Sequence, residues 1–127
     1  MAVTVLIVDD SKLARIVSGK ALAELQPEWT KIEAANADQA LEVLAAQSAD
    51  VALIDFNMPD KDGLELATQL RVAYPDMPIA IITANIQDEI IARAREIGAA
   101  FVPKPVTMEG LEPFLTGAAL RLRAPRT

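Results

Sequence analysis

The chain has 127 residues, of which 52% are hydrophobic, carries a net charge of -6 and contains no cysteine or histidine. That length suits a single domain with a real hydrophobic core. The missing residue types exclude disulfides, thiolate or imidazole metal sites, histidine general bases and a histidine phosphoacceptor within the chain.

The acidic balance argues against nucleic-acid binding, since the only local basic cluster is Arg121, Arg123 and Arg126. Apolar runs are strand-length and interrupted by charge, so no membrane span or signal peptide is expected, and a cytoplasmic location follows as the default.

Val3–Val8 is a continuous apolar, β-branched run ending on Asp9 and Asp10, and reads as the first strand. Leu13, Ile16, Val17 and Leu22 or Leu25 then recur at the spacing of a helix's apolar face, with Ser11 or Asp10 near the cap and Pro27 closing the segment. Gly19 inside this helix costs about 1 kcal/mol against alanine. Trp29–Ala35 reads as a second, less apolar strand near a sheet edge, and Asn36 tolerates the left-handed turn expected after it. Asp38–Ala46 is a short helix with Ala40, Leu41 and Leu44 inward.

Val51–Asp55 is a strand buried on both faces and ending on a carboxylate. Gly63–Ala73 is a helix with Leu64, Ala67 and Leu70 on one face. Ile79–Thr83 is the fourth strand, and Ile86–Ile97 the helix after it, ended by Gly98. In that helix Ile86, Ile90 and Ala94 form one stripe, with Ile91 partly exposed. Ala99–Val102 is a short fifth strand running into Pro103, Lys104 and Pro105. The last helix runs from Met108 or Gly110 to Leu122, with Leu111, Leu115, Ala118 and Leu122 inward and Phe114 off centre. Pro113 is expected only near its first turn, and the tail beyond Leu122 is expected to be loose.

Five strand–helix alternations imply an α/β fold: a doubly wound, five-stranded parallel sheet of order 2-1-3-4-5, flavodoxin-like, forming one domain over 1–127 with its core at 3–122. The parallel winding gathers the strand ends Asp9-Asp10, Asp55, Thr83 and Lys104 on one rim. Crowded carboxylates repel one another, and Mg²⁺ relieves that repulsion with few protein ligands. Lys104 adds a point charge suited to phosphate, and Thr83 a hydroxyl donor. Asp55, the central carboxylate, could attack a phosphoryl group in line to give an acyl phosphate. The added charge could draw Thr83 inward, with Phe101 on the next strand filling the space behind it. Each piece also has a structural reading: Asp9-Asp10 and Thr83 as helix caps, Lys104 as a solvated lysine, Phe101 as core packing.

The stretches V-L-I-V-D-D-S, L-I-D-F-N-M-P-D-K-D-G, I-I-T-A and F-V-P-K-P, in this order and spacing, resemble the receiver domain of bacterial two-component response regulators. The resemblance covers about Val3 to Leu122. It implies that Asp55 accepts a phosphoryl group from a histidine kinase or phosphotransfer protein. It implies direct Mg²⁺ ligation (Mn²⁺ as substitute) by Asp10, Asp55 and the Asn57 carbonyl, with Asp9 acting mainly through water. It further implies phosphate contacts from Lys104, Thr83 and Ala84, a cis peptide between Lys104 and Pro105, and a Thr83/Phe101 switch acting through packing, since Phe101 has no hydroxyl. The output surface would be the fourth helix, fifth strand and last helix, meeting a target protein or a second copy. Such a domain works alone, as in chemotaxis, or within a longer regulator.

Three other readings compete. A small aspartyl-phosphate phosphohydrolase would want a cap domain to enclose its substrate. A docking module would leave the pocket unused. A flavin binder would set Asp9 and Asp10 against the cofactor's phosphate.

By the same resemblance Asn57 and Asn85 tune the lifetime of the acyl phosphate, and neither offers a carboxylate or base to orient water. Self-dephosphorylation is therefore expected to be modest, leaving room for a partner phosphatase. Intact-mass measurements after removal of the donor should show a phosphorylated species outlasting seconds; decay within seconds contradicts this.

Overall fold

The computed structural model describes residues 3–58, 61–84 and 87–123. The expectations for Asn85, Ile86 and the tail 124–127 lie outside them. Five strands, β1 (Thr4–Val8), β2 (Thr30–Ala34), β3 (Val51–Asp55), β4 (Ile79–Thr83) and β5 (Ala100–Pro103), alternate with α1 (Lys12–Leu25), α2 (Ala37–Ala46), α3 (Gly63–Ala73), α4 (Asp88–Glu96) and α5 (Met108–Arg123). The sheet is parallel throughout, in the order β2-β1-β3-β4-β5. Among the described residues no helix is long and apolar enough to cross a membrane.

The continuous apolar runs of β1, β3 and β4 form strands because both faces are covered. One face buries Leu6, Ile54 and Ile81 beneath residues of α2, α3 and α4, such as Ala40, Leu66 and Ala94. The other buries Ile7, Leu53 and Ile82 beneath Leu22 of α1 and Leu111 and Leu115 of α5. The expected bounds of β3, α3 and β4 agree with the structure. Strand β2 is an edge strand and mostly exposed. The other elements differ from expectation by a few residues at their ends, as fraying and capping allow.

Four expectations fail, the first being the left-handed turn at Asn36, which is instead extended (φ -160°) and caps α2, its Oδ1 accepting from the Gln39 N–H at 2.8 Å. Leu13, Ile16 and Val17 do not join the core: they are 70%, 40% and 40% exposed, and α1 instead buries Ser18, Gly19, Ala21 and Leu22. The helix packs alongside α5, and Gly19 makes room for the Lys31 side chain of β2. Leu41 of α2 likewise lies at the surface, while Ala40 and Leu44 are buried. Pro113 sits in the second turn of α5, since the helix begins at Met108 with Leu111 N–H donating to the Thr107 carbonyl. Its missing N–H falls on an exposed stretch of helix, where water can serve the unpaired carbonyl.

Gly63 opens α3 directly against the end of β3. Its N–H donates to the Phe56 carbonyl at 2.9 Å. A Cβ there would lie 2.3 Å from the Asp55 carbonyl oxygen and 2.9 Å from the Phe56 Cα, both backbone atoms that cannot swing aside. Gly117, in α5, has nothing within 4 Å of such a Cβ. Gly63→Ala should therefore destabilise the protein by about 1–3 kcal/mol. Gly117→Ala should stabilise it by about 0.5–1 kcal/mol, and urea denaturation of the two variants reads the opposite signs.

Candidate functional site

The site is a product of register. Val8 pairs with Ile54 across β1 and β3, so Asp9 and Asp55, each one residue further on, emerge side by side. Asp55 pairs with Ile82 on β4, and Thr83 with Pro103 on β5. Lys104 therefore starts two strands away. Its N–H donates to the Thr83 carbonyl at 3.0 Å, and its side chain reaches back across the rim. The Lys104–Pro105 peptide is cis.

The Lys104 amine lies 2.9 Å from Oδ1 of Asp55 and 3.4 Å from Oδ2 of Asp9. Both carboxylates are buried, at 2% and 5% exposure. Lys104 is the one charged partner that reaches Oδ1 of Asp55 among the described residues. One oxygen from each of Asp9, Asp10 and Asp55 can be chosen so that all three lie within 4.8 Å of one another. Burial, more than any neighbour, pushes the Asp55 carboxyl above its usual range; the charges of Asp9 and Asp10 push the same way, and Lys104 opposes them. Burial alone would lower Lys104, but Asp55 and Asp9 hold it above its ordinary value.

Asp9 is fixed on every side. Its N–H donates to the Ala34 carbonyl at 3.1 Å, and Oδ1 accepts from the Ser11 N–H at 2.9 Å. Its carbonyl accepts from Nη1 of Arg15 at 2.7 Å, while Nε of Arg15 donates to Glu33 on β2 at 3.0 Å. Ser11 in turn caps α1, its hydroxyl accepting from the Ala14 N–H. Asp10, by contrast, is exposed.

The other expected residues fall as follows. Thr83 is fully buried, and Ala84 is exposed beside it. Phe101 is half-buried and pairs with Ile81, which puts it on the same sheet face as Thr83 and α4. Asn57 is exposed in the loop after β3. Arg15, Glu33 and Gly63 were not singled out from sequence. Arg15 lies four residues after Ser11, one helical turn on, but its bond to Glu33 depends on the β1–β2 register.

Three carboxylates against one ammonium leave excess negative charge at a rim where one carboxylate oxygen is buried without a hydrogen bond. The all-oxygen donor set fits a hard divalent cation. The geometry defines a parallel α/β module with an acidic cluster and one paired lysine at the strand ends.

Residues 5–115 match the response regulator receiver domain family, and the chain belongs to it. The chain is 34% identical over 116 residues to a cyclic di-GMP phosphodiesterase of Thermotoga maritima, covering 91% of this chain and 30% of that protein. It is 36% identical over 104 residues to the DNA-binding transcriptional regulator NtrC of Escherichia coli, covering 81% of this chain and 22% of that one. The chain thus spans less than a third of these curated relatives. Among solved structures, the chemotaxis response regulator CheY4 of Vibrio cholerae superposes with a TM-score of 0.81 at 27% identity, covering 93% of this chain and 99% of that one. The module is a phosphoacceptor switch of two-component signalling, and belongs with signalling modules rather than classical enzymes.

Because the folded pKa of Asp55 is raised, the metal-free folded state holds this proton more tightly than the unfolded chain does. The associated stability is fully present below the unfolded value and is lost as pH rises through the folded one. Relative to Asp55→Asn, the metal-free protein should lose thermal stability as pH climbs from the ordinary carboxylate range upward, and a divalent cation should restore it. A gap that narrows with rising pH contradicts this.

Proposed function

We propose that Asp55 is the phosphoacceptor and that its phosphorylation, with Mg²⁺ held by Asp10, Asp55 and the Asn57 carbonyl, drives the switch. The observation carrying this reading is the Lys104 amine 2.9 Å from a buried Asp55 oxygen inside the acidic cluster. A carboxylate oxygen of Asp55 attacks the phosphorus of a phosphohistidine on a histidine kinase or phosphotransfer protein. The P–N bond breaks, the imidazole leaves, and a P–O bond makes the acyl phosphate. When bound, the cation neutralises charge on the phosphoryl oxygens and lowers repulsion among the carboxylates. Lys104 shifts its charge from Asp55 to the transferred group, and Thr83 and the Ala84 N–H donate to it.

Two details support this division of labour. Asp9 already spends its oxygens on Ser11 and Lys104, which suits a role through water. Asp10 is exposed and suits direct ligation. Thr83, drawn toward the phosphoryl group, would leave room for half-buried Phe101, changing the α4–β5–α5 face offered to a target protein or a second copy. The reading implies a cytoplasmic setting, where such donors are charged.

The donor must cross the rim beside the exposed Leu13 and Val17, which line a groove of about 230 Å³ with Ser18, Pro105, Val106 and Lys104. That apolar shoulder is continuous with the pocket, and it suits the protein donor.

Incubation with Mg²⁺ and phosphoramidate should add one phosphoryl group by intact mass, and none to Asp55→Asn. Equal uptake by that variant overturns the assignment. Leu13→Asp should slow transfer from a phosphorylated protein donor by roughly tenfold, about 1.4 kcal/mol, while uptake from phosphoramidate stays unchanged. Equal slowing with both donors would mean that the pocket itself was damaged.

A further inference from the structure

The two ends of α4 are held differently. At the C-terminal end Gly98 takes a left-handed φ of 68°. Its N–H donates to the Arg95 carbonyl at 3.0 Å, and the Ala99 N–H to the Ala94 carbonyl at 2.8 Å, the paired bonds of a Schellman closure. Arg71, in the last turn of α3, adds a clamp. Its Nε donates to the Ile97 carbonyl at 2.7 Å and its Nη2 to the Gly98 carbonyl at 3.3 Å. Its Nη1 donates to the carbonyls of Met77, Pro75 and Tyr74 at 2.7, 2.9 and 3.3 Å. One guanidinium thus ties the α3–β4 connection to the α4–β5 turn. It also sets a cation against the C-terminal ends of two helices, where the dipole favours it.

Among the described residues, the N-terminal end shows no comparable side-chain clamp. Gln87 makes no side-chain cap hydrogen bond, whereas Ser11, Asn36 and Asp62 each cap the helices they precede. This end follows Thr83 and faces the phosphoacceptor rim. The clamped end lies on the opposite rim, beside the start of β4.

We propose that Arg71 is the pivot of the switch: a positioning residue that pins the C-terminal end of α4 to the α3–β4 connection, so that a change begun at Thr83 swings the N-terminal end alone. The proposal rests on the reading of Asp55 as phosphoacceptor. The clamp needs a planar fork with several donors, which a lysine's point charge does not reproduce.

Residue-resolved amide hydrogen exchange tests this, on the unmodified chain and after phosphoramidate and Mg²⁺ treatment with uptake verified by intact mass. In the unmodified protein the Ile90 and Ile91 amides should exchange at least about tenfold faster than those of Gly98 and Ala99. Phosphorylation should alter the first pair and leave the second unchanged. In Arg71→Lys the Gly98 and Ala99 amides should lose about tenfold protection, and the phosphorylation-induced change should spread to them, with phosphoryl uptake unaltered.

Equal exchange at both ends of the unmodified helix overturns the pivot. So does an Arg71→Lys protein that has lost protection at Gly98 while phosphorylation still affects only the Ile90 end, because the arginine would then be a static brace. Absent uptake would sink the Asp55 assignment instead, and the exchange gradient of the unmodified chain would still decide the pivot.

Discussion

The contact on which the rest of the structure depends is the ion pair between Lys104 and the buried carboxylate of Asp55, 2.9 Å apart at the C-terminal rim of the sheet. Neither partner would be comfortable alone. Burial penalises the Asp55 anion, and the neighbouring Asp9 and Asp10 add repulsion. Lys104 is likewise drawn partly out of water, and stays charged because two carboxylates face it. A pair of this kind contributes little net stability, because desolvation offsets the attraction. What it holds is geometry: a buried carboxylate faced by a single ammonium at the rim of the sheet.

Holding that arrangement is a matter of backbone more than of side chains. The β1–β3 register sets Asp9 level with Asp55, and Lys104 is fixed by its N–H bond to Thr83. Gly63 brings the start of α3 into van der Waals contact with the Asp55 carbonyl, where no side chain fits. Arg15 and Glu33 belong to the same scaffold. They tie α1 to the edge strand β2 through the Asp9 carbonyl, so even the exposed edge of the sheet helps to aim a carboxylate.

The parts legible in the sequence are those with one physical solution. Val51–Asp55 and Ile79–Thr83 are apolar runs too short for core helices and flanked by turn residues, so both could be bounded and their terminal Asp55 and Thr83 placed on a common rim. Right-handed crossovers leave few strand orders, and the expected one, 2-1-3-4-5, is the one observed. The buried face of α1 is not legible in the sequence, because side-chain bulk does not track burial along this helix. Leu13, Ile16 and Val17 carry the bulk, yet the buried positions are Ser18, Gly19, Ala21 and Leu22, and Gly19 leaves room for the Lys31 side chain of β2. Pro113 misled for a related reason: a proline in the second turn is tolerable when the orphaned carbonyl faces water, which depends on exposure rather than on position in the sequence. Arg71 carries no signal in the sequence, since its partners are backbone carbonyls contributed by two separate connections, α3–β4 and α4–β5.

These observations divide the molecule along the strand axis. At the site rim the fastenings are charges and single hydrogen bonds between side chains and strand ends, the interactions most readily redirected by a new dianion. At the opposite rim they are a five-acceptor guanidinium and a glycine-closed helix end, which a phosphoryl group does not touch. Between them lies a sheet whose inner strands are buried on both faces, packed too densely to deform gradually. A charge added at Asp55 therefore has few routes outward. The sheet transmits little, α3 is held by Gly63 at one end and Arg71 at the other, and α1 is tied through Arg15. Among the described residues, the start of α4, where Gln87 makes no side-chain cap hydrogen bond, and the half-buried Phe101 lie on the same side of the sheet as Thr83 without a fastening of either kind.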